Sequence, residues 1–247
     1  MLRESFVLLD GVRRQRERSF WEQGIRSWND FCDKEVIKGV SPPAKRRHDA
    51  FLKLCRKKLL EDDARFFASA VPGNEQWRLY DDFKDGVHAL DIETGMRGEV
   101  TVVGVASADG CKTLLRGSTL HRESLRRVLA DAKMLLSFNG RGFDVPVLER
   151  HFGISIDVPH IDLLHVSRAL GYSGGLKILE KELGIKRPDE LSVLRGAQAP
   201  ELWRCYKATG DEHFLNLLVK YNEEDCLNLH TLADMLIPRL WQDVRKA

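Results

Sequence analysis

At residue 85 the sequence changes its hydrophobic period, and no other feature restricts the fold as much. Val87-His88-Ala89-Leu90-Asp91-Ile92-Glu93 is a short strand-like run, and residues 99–107 are rich in β-branched side chains. Asp109-Gly110 supplies a turn before a third run at 111–115. Links of hairpin length predict that these three strands are antiparallel. Helix period returns over 120–131, an apolar strand follows at 133–138, then a helix at 144–152 and a strand at 158–164. Most of the remainder reads as helix. This order predicts an α/β fold for residues 85–247, with a mixed sheet flanked by helices.

Residues 1–84 have few β-branched runs and a helix-period apolar pattern at 51–60, which predicts a small helical N-terminal region. Ser41-Pro42-Pro43 is expected to break it near the middle, and Val71-Pro72-Gly73-Asn74 marks a second loop. Charge divides at nearly the same place. Residues 1–60 hold 15 Lys/Arg against 8 Asp/Glu, while the other 187 residues hold 24 against 29. A basic arm on an acidic body points to a polyanionic partner for the arm, although a solvated basic face gives the same pattern. The five cysteines form no CxxC pair, which suits scattered reduced thiols in a cytoplasmic protein. No run of about 18 apolar residues offers a membrane span.

Asp91 and Glu93 end the first strand, and positions i and i+2 of a strand share a face. Two carboxylates projecting together repel unless a cation or solvent separates them. Asn139-Gly140-Arg141-Gly142-Phe143-Asp144 leads from a strand through a glycine-rich turn into a helix, where Asp144 is either a functional acid or a helix cap. Tyr221-Asn222-Glu223-Glu224-Asp225 places Tyr221 and Asp225 one turn apart on a helix face. Leu217, Leu218 and Leu229 turn that face inward, and Glu223 and Glu224 are expected to point to solvent. Taken singly, each motif also has an ordinary structural reading as a strand end, a helix cap or a helix face.

Together, in this order, the three motifs resemble those of the DEDD exonuclease superfamily in its tyrosine-bearing branch, over roughly residues 85–240. Phe138-Asn139-Gly140-Arg141-Gly142-Phe143-Asp144, His160-Ile161-Asp162-Leu163-Leu164-His165 and Gly175-Leu176-Lys177-Ile178-Leu179-Glu180 are most similar to the YprB-type ribonuclease-H-like domain. That group often carries a histidine where this chain has Tyr221. The resemblance implies a ribonuclease-H-like fold and hydrolysis of DNA or RNA from a 3′ end with two Mg²⁺ or Mn²⁺ ions. It further implies that Asp91 bridges both metals, Glu93 and Asp225 complete one site, Asp144 holds the other, and Tyr221 hydrogen-bonds the attacking water. Hard cations take oxygen ligands, so this residue set suits them.

Asn139, Arg141 and Lys177 lie beside the motifs and are candidates for contact with nucleic acid, a plain surface role being equally open. Asp162 reads as an outer acid or an ordinary strand end, and His160 and His165 alone do not make a zinc site. In the arm, residues 8–28 weakly resemble a helix-hairpin-helix element. Gly11-Val12 keeps half of its hairpin, but Arg13 replaces the second glycine. Trp21 and Trp28 read as core. Two further functions compete: an inactive nucleic-acid-binding module of the same fold, and a glycosidase, which needs two acids and no metal.

Overall fold

The computed structural model describes residues 1–192 and 198–246. The N-terminal region is helical: α1 (Arg14–Glu22), α2 (Trp28–Asp33), α3 (Pro42–Leu60) and α4 (Ala64–Ala70), with 3-10 turns at Leu2–Glu4 and Gly73–Asp82. The Ser41-Pro42-Pro43 segment starts a helix instead of interrupting one. Ser41 caps α3 through the Ala44 N–H, and proline at the first helical position loses only an N–H that has no helical partner anyway.

Five strands follow: β1 (Val87–Thr94), β2 (Val100–Ser107), β3 (Gly110–Leu115), β4 (Met134–Ser137) and β5 (His160–Asp162). They form one sheet in the order β3-β2-β1-β4-β5. The first three strands are antiparallel, and β4 and β5 run parallel to β1. Helices α5 (Arg122–Val128) and α6 (Asp144–Phe152) separate β3, β4 and β5, as the periodicity predicts. The fifth strand is shorter than its apolar run, because Asp162 caps α7 (Leu163–Ala169) and draws Leu163 and Leu164 into that helix. The chain continues through α8 (Leu176–Glu182), α9 (Asp189–Ser192), α10 (Ala199–Thr209) and α11 (Glu212–Lys246). Among the described residues no helix is long and apolar enough to cross a membrane.

Strand period decides the layers. Leu90 and Ile92 of β1 pack with Leu125 of α5 and Leu148 of α6 on one side of the sheet. Val87 and Ala89 pack on the opposite side with Cys226, Leu229 and Leu232 of α11. Asp91 and Glu93 continue this second row, so the acid pair is delivered to the face that α11 covers.

The change at residue 85 is one of architecture, and the packing continues across it. A single apolar cluster runs from Leu2, Phe6 and Trp28 to Leu236 and Val244. Trp241 meets Trp21 and Trp77 with ring centroids 5.9 and 6.2 Å away. Both arm tryptophans are core, and the Trp28 indole donates to the Ser5 carbonyl at 2.8 Å. Arg78, with no exposed surface, donates to Glu17 Oε1 at 2.9 Å and to Glu75 Oε2 at 2.8 Å. Only half of the helix-hairpin-helix likeness survives. Gly11 turns with a φ of 70° and α1 follows, but no helix spans residues 5–13, where Val7, Leu8, Leu9 and Val12 are buried.

Candidate active site

β1 brings two of the acids to the site and α11 a third. Asp91, Glu93 and Asp225 each offer a carboxylate oxygen, and these atoms lie within 4.8 Å of one another. The approach depends on Gly104, which stands opposite Asp91 on β2. A Cβ there would sit 2.2 Å from Asn222 Oδ1 and 2.7 Å from Cys226 Sγ. Glycine therefore lets α11 lie close against β2. Asn222 uses this proximity to donate from Nδ2 to Asp91 Oδ2 at 2.8 Å. A register shift between Glu93 and Thr94 marks a local irregularity in the strand beside the site.

Asp144 arrives from the other side. β4 pairs with β1 only as far as Ala89, and the Ile92 N–H donates instead to Asp144 Oδ1 at 3.0 Å. The Asp144 carboxylate thus borders the three-acid set without belonging to it. Its loop is held by Asp162, which accepts from the backbone N–H groups of Asn139 at 2.7 Å and Arg141 at 3.1 Å. Buried Asp162 is therefore a brace for the motif loop, which is more than an ordinary strand end. Gly140 is also required here, since a Cβ would come 2.4 Å from Ser137 Oγ. His160, which meets that hydroxyl at 2.7 Å, is pushed down to about 3 by burial and by Arg141, and stays neutral. Among the described residues the cluster with metal-ligand spacing is the acidic one, and neither histidine belongs to it.

Of the residues expected to meet nucleic acid, Lys177 stands at the site, its Nζ 4.3 Å from the centre of the Tyr221 ring. Asn139 is exposed, with a φ of 67°, on the motif loop. Arg141 is engaged within the fold. Its Nη2 donates to Gln76 Oε1 at 2.7 Å, to Gly73 O at 3.2 Å and to the His160 carbonyl. That edge of the guanidinium ties the motif loop to the N-terminal region. Glu223 and Glu224 differ from expectation, being half-buried. Glu223 accepts from Thr113 at 2.8 Å and Glu224 from Asn228 at 3.3 Å.

The acids carry a common electrostatic burden. Burial first, then Asp225, Glu93 and Asp144, holds Asp91 well above the usual carboxylate range. Burial and neighbouring acids push Glu93 up to about 8, and burial pushes Asp144 up to about 7 and Asp225 up to about 6. Tyr221 is raised from its ordinary value by burial and by Asp225 and Glu93, so its hydroxyl keeps its proton. An all-oxygen set of clustered carboxylates fits a hard divalent cation. Asp225 Oδ1 lies against the Arg187 guanidinium, which offsets part of the cluster's charge.

A pH dependence follows for the metal-free protein. These carboxylates bind protons more tightly when folded than when unfolded, where they titrate near 4. Their contribution to folding stability is therefore fully present below about pH 4 and is lost as pH rises through the folded values of about 6, 7 and 8. In EDTA the melting temperature should fall between pH 5.5 and 8.5 by several degrees (~1–3 kcal/mol), and Mg²⁺ or Mn²⁺ should recover much of that loss. A melting temperature that is flat or rising over this range in EDTA would contradict the arrangement.

Several residues of the site have no motif to announce them. Gly104 carried a readable signal, a lone glycine in a β-branched run. Asn222 lies beside Tyr221 in the third motif. Arg187 and Glu180, which reach Asp225 through an ion-pair network, carry no local signal.

Comparison with known proteins bears on the same region. A family model described as the RNase H superfamily matches residues 89–237. Among solved structures, a family B DNA polymerase from the hyperthermophilic archaeon Pyrobaculum calidifontis is similar, with a TM-score of 0.50 and 19% identity. The match covers 62% of this chain but 24% of the polymerase chain, and at that identity it speaks to the fold alone. No curated protein sequence matches.

Proposed function

The chain belongs to the RNase H superfamily, and on that footing we propose that it is a divalent-metal-dependent exonuclease of the DEDD tyrosine branch, hydrolysing DNA or RNA from a 3′ end. The observation that carries this reading is the convergence of Asp91, Glu93 and Asp225 within 4.8 Å at the end of β1, with Asp144 beside them. In this reading Asp91, Glu93 and Asp225 would hold one Mg²⁺ or Mn²⁺, and Asp144 would help to hold a second. Such ions lower the pKa of water and stabilise charge on the attacking and leaving oxygens.

The protein's own groups prepare the site. Asn222 fixes the Asp91 carboxylate through Oδ2, and the Ile92 N–H fixes that of Asp144. Tyr221 in this reading acts as a hydrogen-bonding group that orients water, because its ordinary value near 10 is already high for a base and burial raises it further. In the same reading Lys177, which lies over the Tyr221 ring, and the exposed Asn139 meet phosphate or sugar. The basic surface of Arg13, Arg46, Arg47, Lys53 and Lys57 in the N-terminal region supplies sequence-independent attraction to the same polyanion.

The test uses single- and double-stranded DNA and RNA labelled at either end, with Mn²⁺ or with EDTA. Shortening from the 3′ end in Mn²⁺ alone supports the proposal. Tyr221→Phe in the same assay should lose roughly 10- to 100-fold in turnover with metal half-saturation near wild type. No cleavage of any substrate, together with retained nucleic-acid binding, would favour a binding module instead. Activity in EDTA would exclude both.

A further inference from the structure

Arg187 lies in the link between α8 and α9, and its side chain is 5% exposed. Its Nε donates to Glu180 Oε2 at 2.6 Å and its Nη2 to Glu180 Oε1 at 2.6 Å, a two-pronged pair. The same Nη2 contacts Asp225 Oδ1. Glu180 is itself buried and is steadied from α11, where Asn228 Nδ2 donates to Oε1 at 3.1 Å. Arg187 Nη1 is buried and makes no hydrogen bond. The guanidinium is therefore held between two carboxylates, one anchored in structure and one belonging to the acidic cluster.

A single pair would have satisfied the charge of Arg187, because a planar guanidinium and a carboxylate match in two-pronged geometry. Its additional contact with Asp225 places a permanent positive charge against the cluster. We propose that the Glu180–Arg187 pair is a positioning and charge-setting element of the metal site, in which Arg187 serves as a resident counter-cation for Asp225. In the absence of metal the guanidinium holds that carboxylate toward Asp91 and Glu93 against their mutual repulsion. When a divalent ion binds, the same charge opposes it, so the pair sets the affinity below what the acids alone would give. Glu180 moderates the effect by neutralising much of the arginine. This inference rests on the reading of Asp225 as a metal ligand.

The two partners therefore make opposite predictions. Mn²⁺ binding to the whole chain is measured by titration calorimetry, with circular dichroism to establish folding. Arg187→Gln removes the opposing charge and should bind Mn²⁺ about tenfold more tightly, whereas Glu180→Gln unmasks it and should bind about tenfold more weakly. Arg187→Lys keeps the charge and should stay within about threefold of wild type. A brace with only a structural role would weaken binding in both glutamine variants or in neither, and either result overturns the proposal. Should Arg187→Gln fail to fold, unchanged or tighter binding by Glu180→Gln overturns it. Wild-type protein that binds no Mn²⁺ removes the proposed function and this inference together. Wild-type binding with unmoved variants removes only the inference.

Discussion

Asp91→Asn should cost at least roughly 10²–10³-fold in metal-dependent turnover, because the resemblance to the DEDD superfamily implies that this carboxylate serves both ions. The same substitution should raise the melting temperature in EDTA. Asp91 is held well above the usual carboxylate range by burial and by three neighbouring acids, so its charge opposes folding when no cation is present. Asparagine keeps the shape and removes that charge. The Mn²⁺-dependent rise in melting temperature should shrink with it. Turnover, melting in EDTA and melting in Mn²⁺ together separate a lost ligand from a disturbed fold. Full activity of Asp91→Asn would sink the assignment, and a large fall in stability in EDTA would mean that the carboxylate is structural.

The largest expected effect on stability lies far from the acids. Arg78→Met should destabilise the protein by about 3–5 kcal/mol, the usual consequence of stranding a buried charge. Arg78 is wholly buried, donates to Glu17, Glu75 and Ser5, and lies against the Trp77 and Trp241 rings at 5.1 and 5.4 Å. Burial already pushes Glu17 above its ordinary value, and Arg78 and the Phe6 N–H pull it back. Without the arginine, the Glu17 carboxylate keeps only the Phe6 N–H among these partners. Adding Glu17→Gln to Arg78→Met should restore part of the loss, because it removes the stranded charge. Urea unfolding of the two single variants and the double variant measures the coupling. A loss under about 1 kcal/mol in Arg78→Met would show that the network is dispensable.

Both results bear on what can be read from a sequence of this kind. Asp91 and Glu93 were legible because a strand repeats every two residues, and Tyr221 and Asp225 because a helix aligns every fourth. The boundaries of α6 were legible for the same reason, since its apolar side and its glycine-rich entry are both local. Arg187 and Glu180 were not, because periodicity says which face is inward but not which distant side chain meets it. Asp162 stayed open on the same ground, its acceptor role depending on the folded shape of the 139–141 loop. Arg78 illustrates the limit most clearly. A charged residue in a charged stretch looks solvent-facing, yet two of its three partners are 61 and 73 residues away.

The 35-residue α11 has a consequence for how the molecule can be taken apart. Its first half carries Tyr221 and Asp225. Its second half receives the N-terminal region, through Asp234, which accepts from the Tyr80 hydroxyl at 2.9 Å, and through Trp241. One helix thus belongs to both regions, and roughly 30 Å of it separates Tyr221 from Trp241. A chimera that grafts this N-terminal region onto another nuclease body would have to transplant residues 230–246 as its docking rail. A body excised at residue 85 would leave that rail bare, presenting Leu236, Leu240 and Trp241 to water and inviting self-association. The two regions therefore behave as one part, because one apolar cluster spans both.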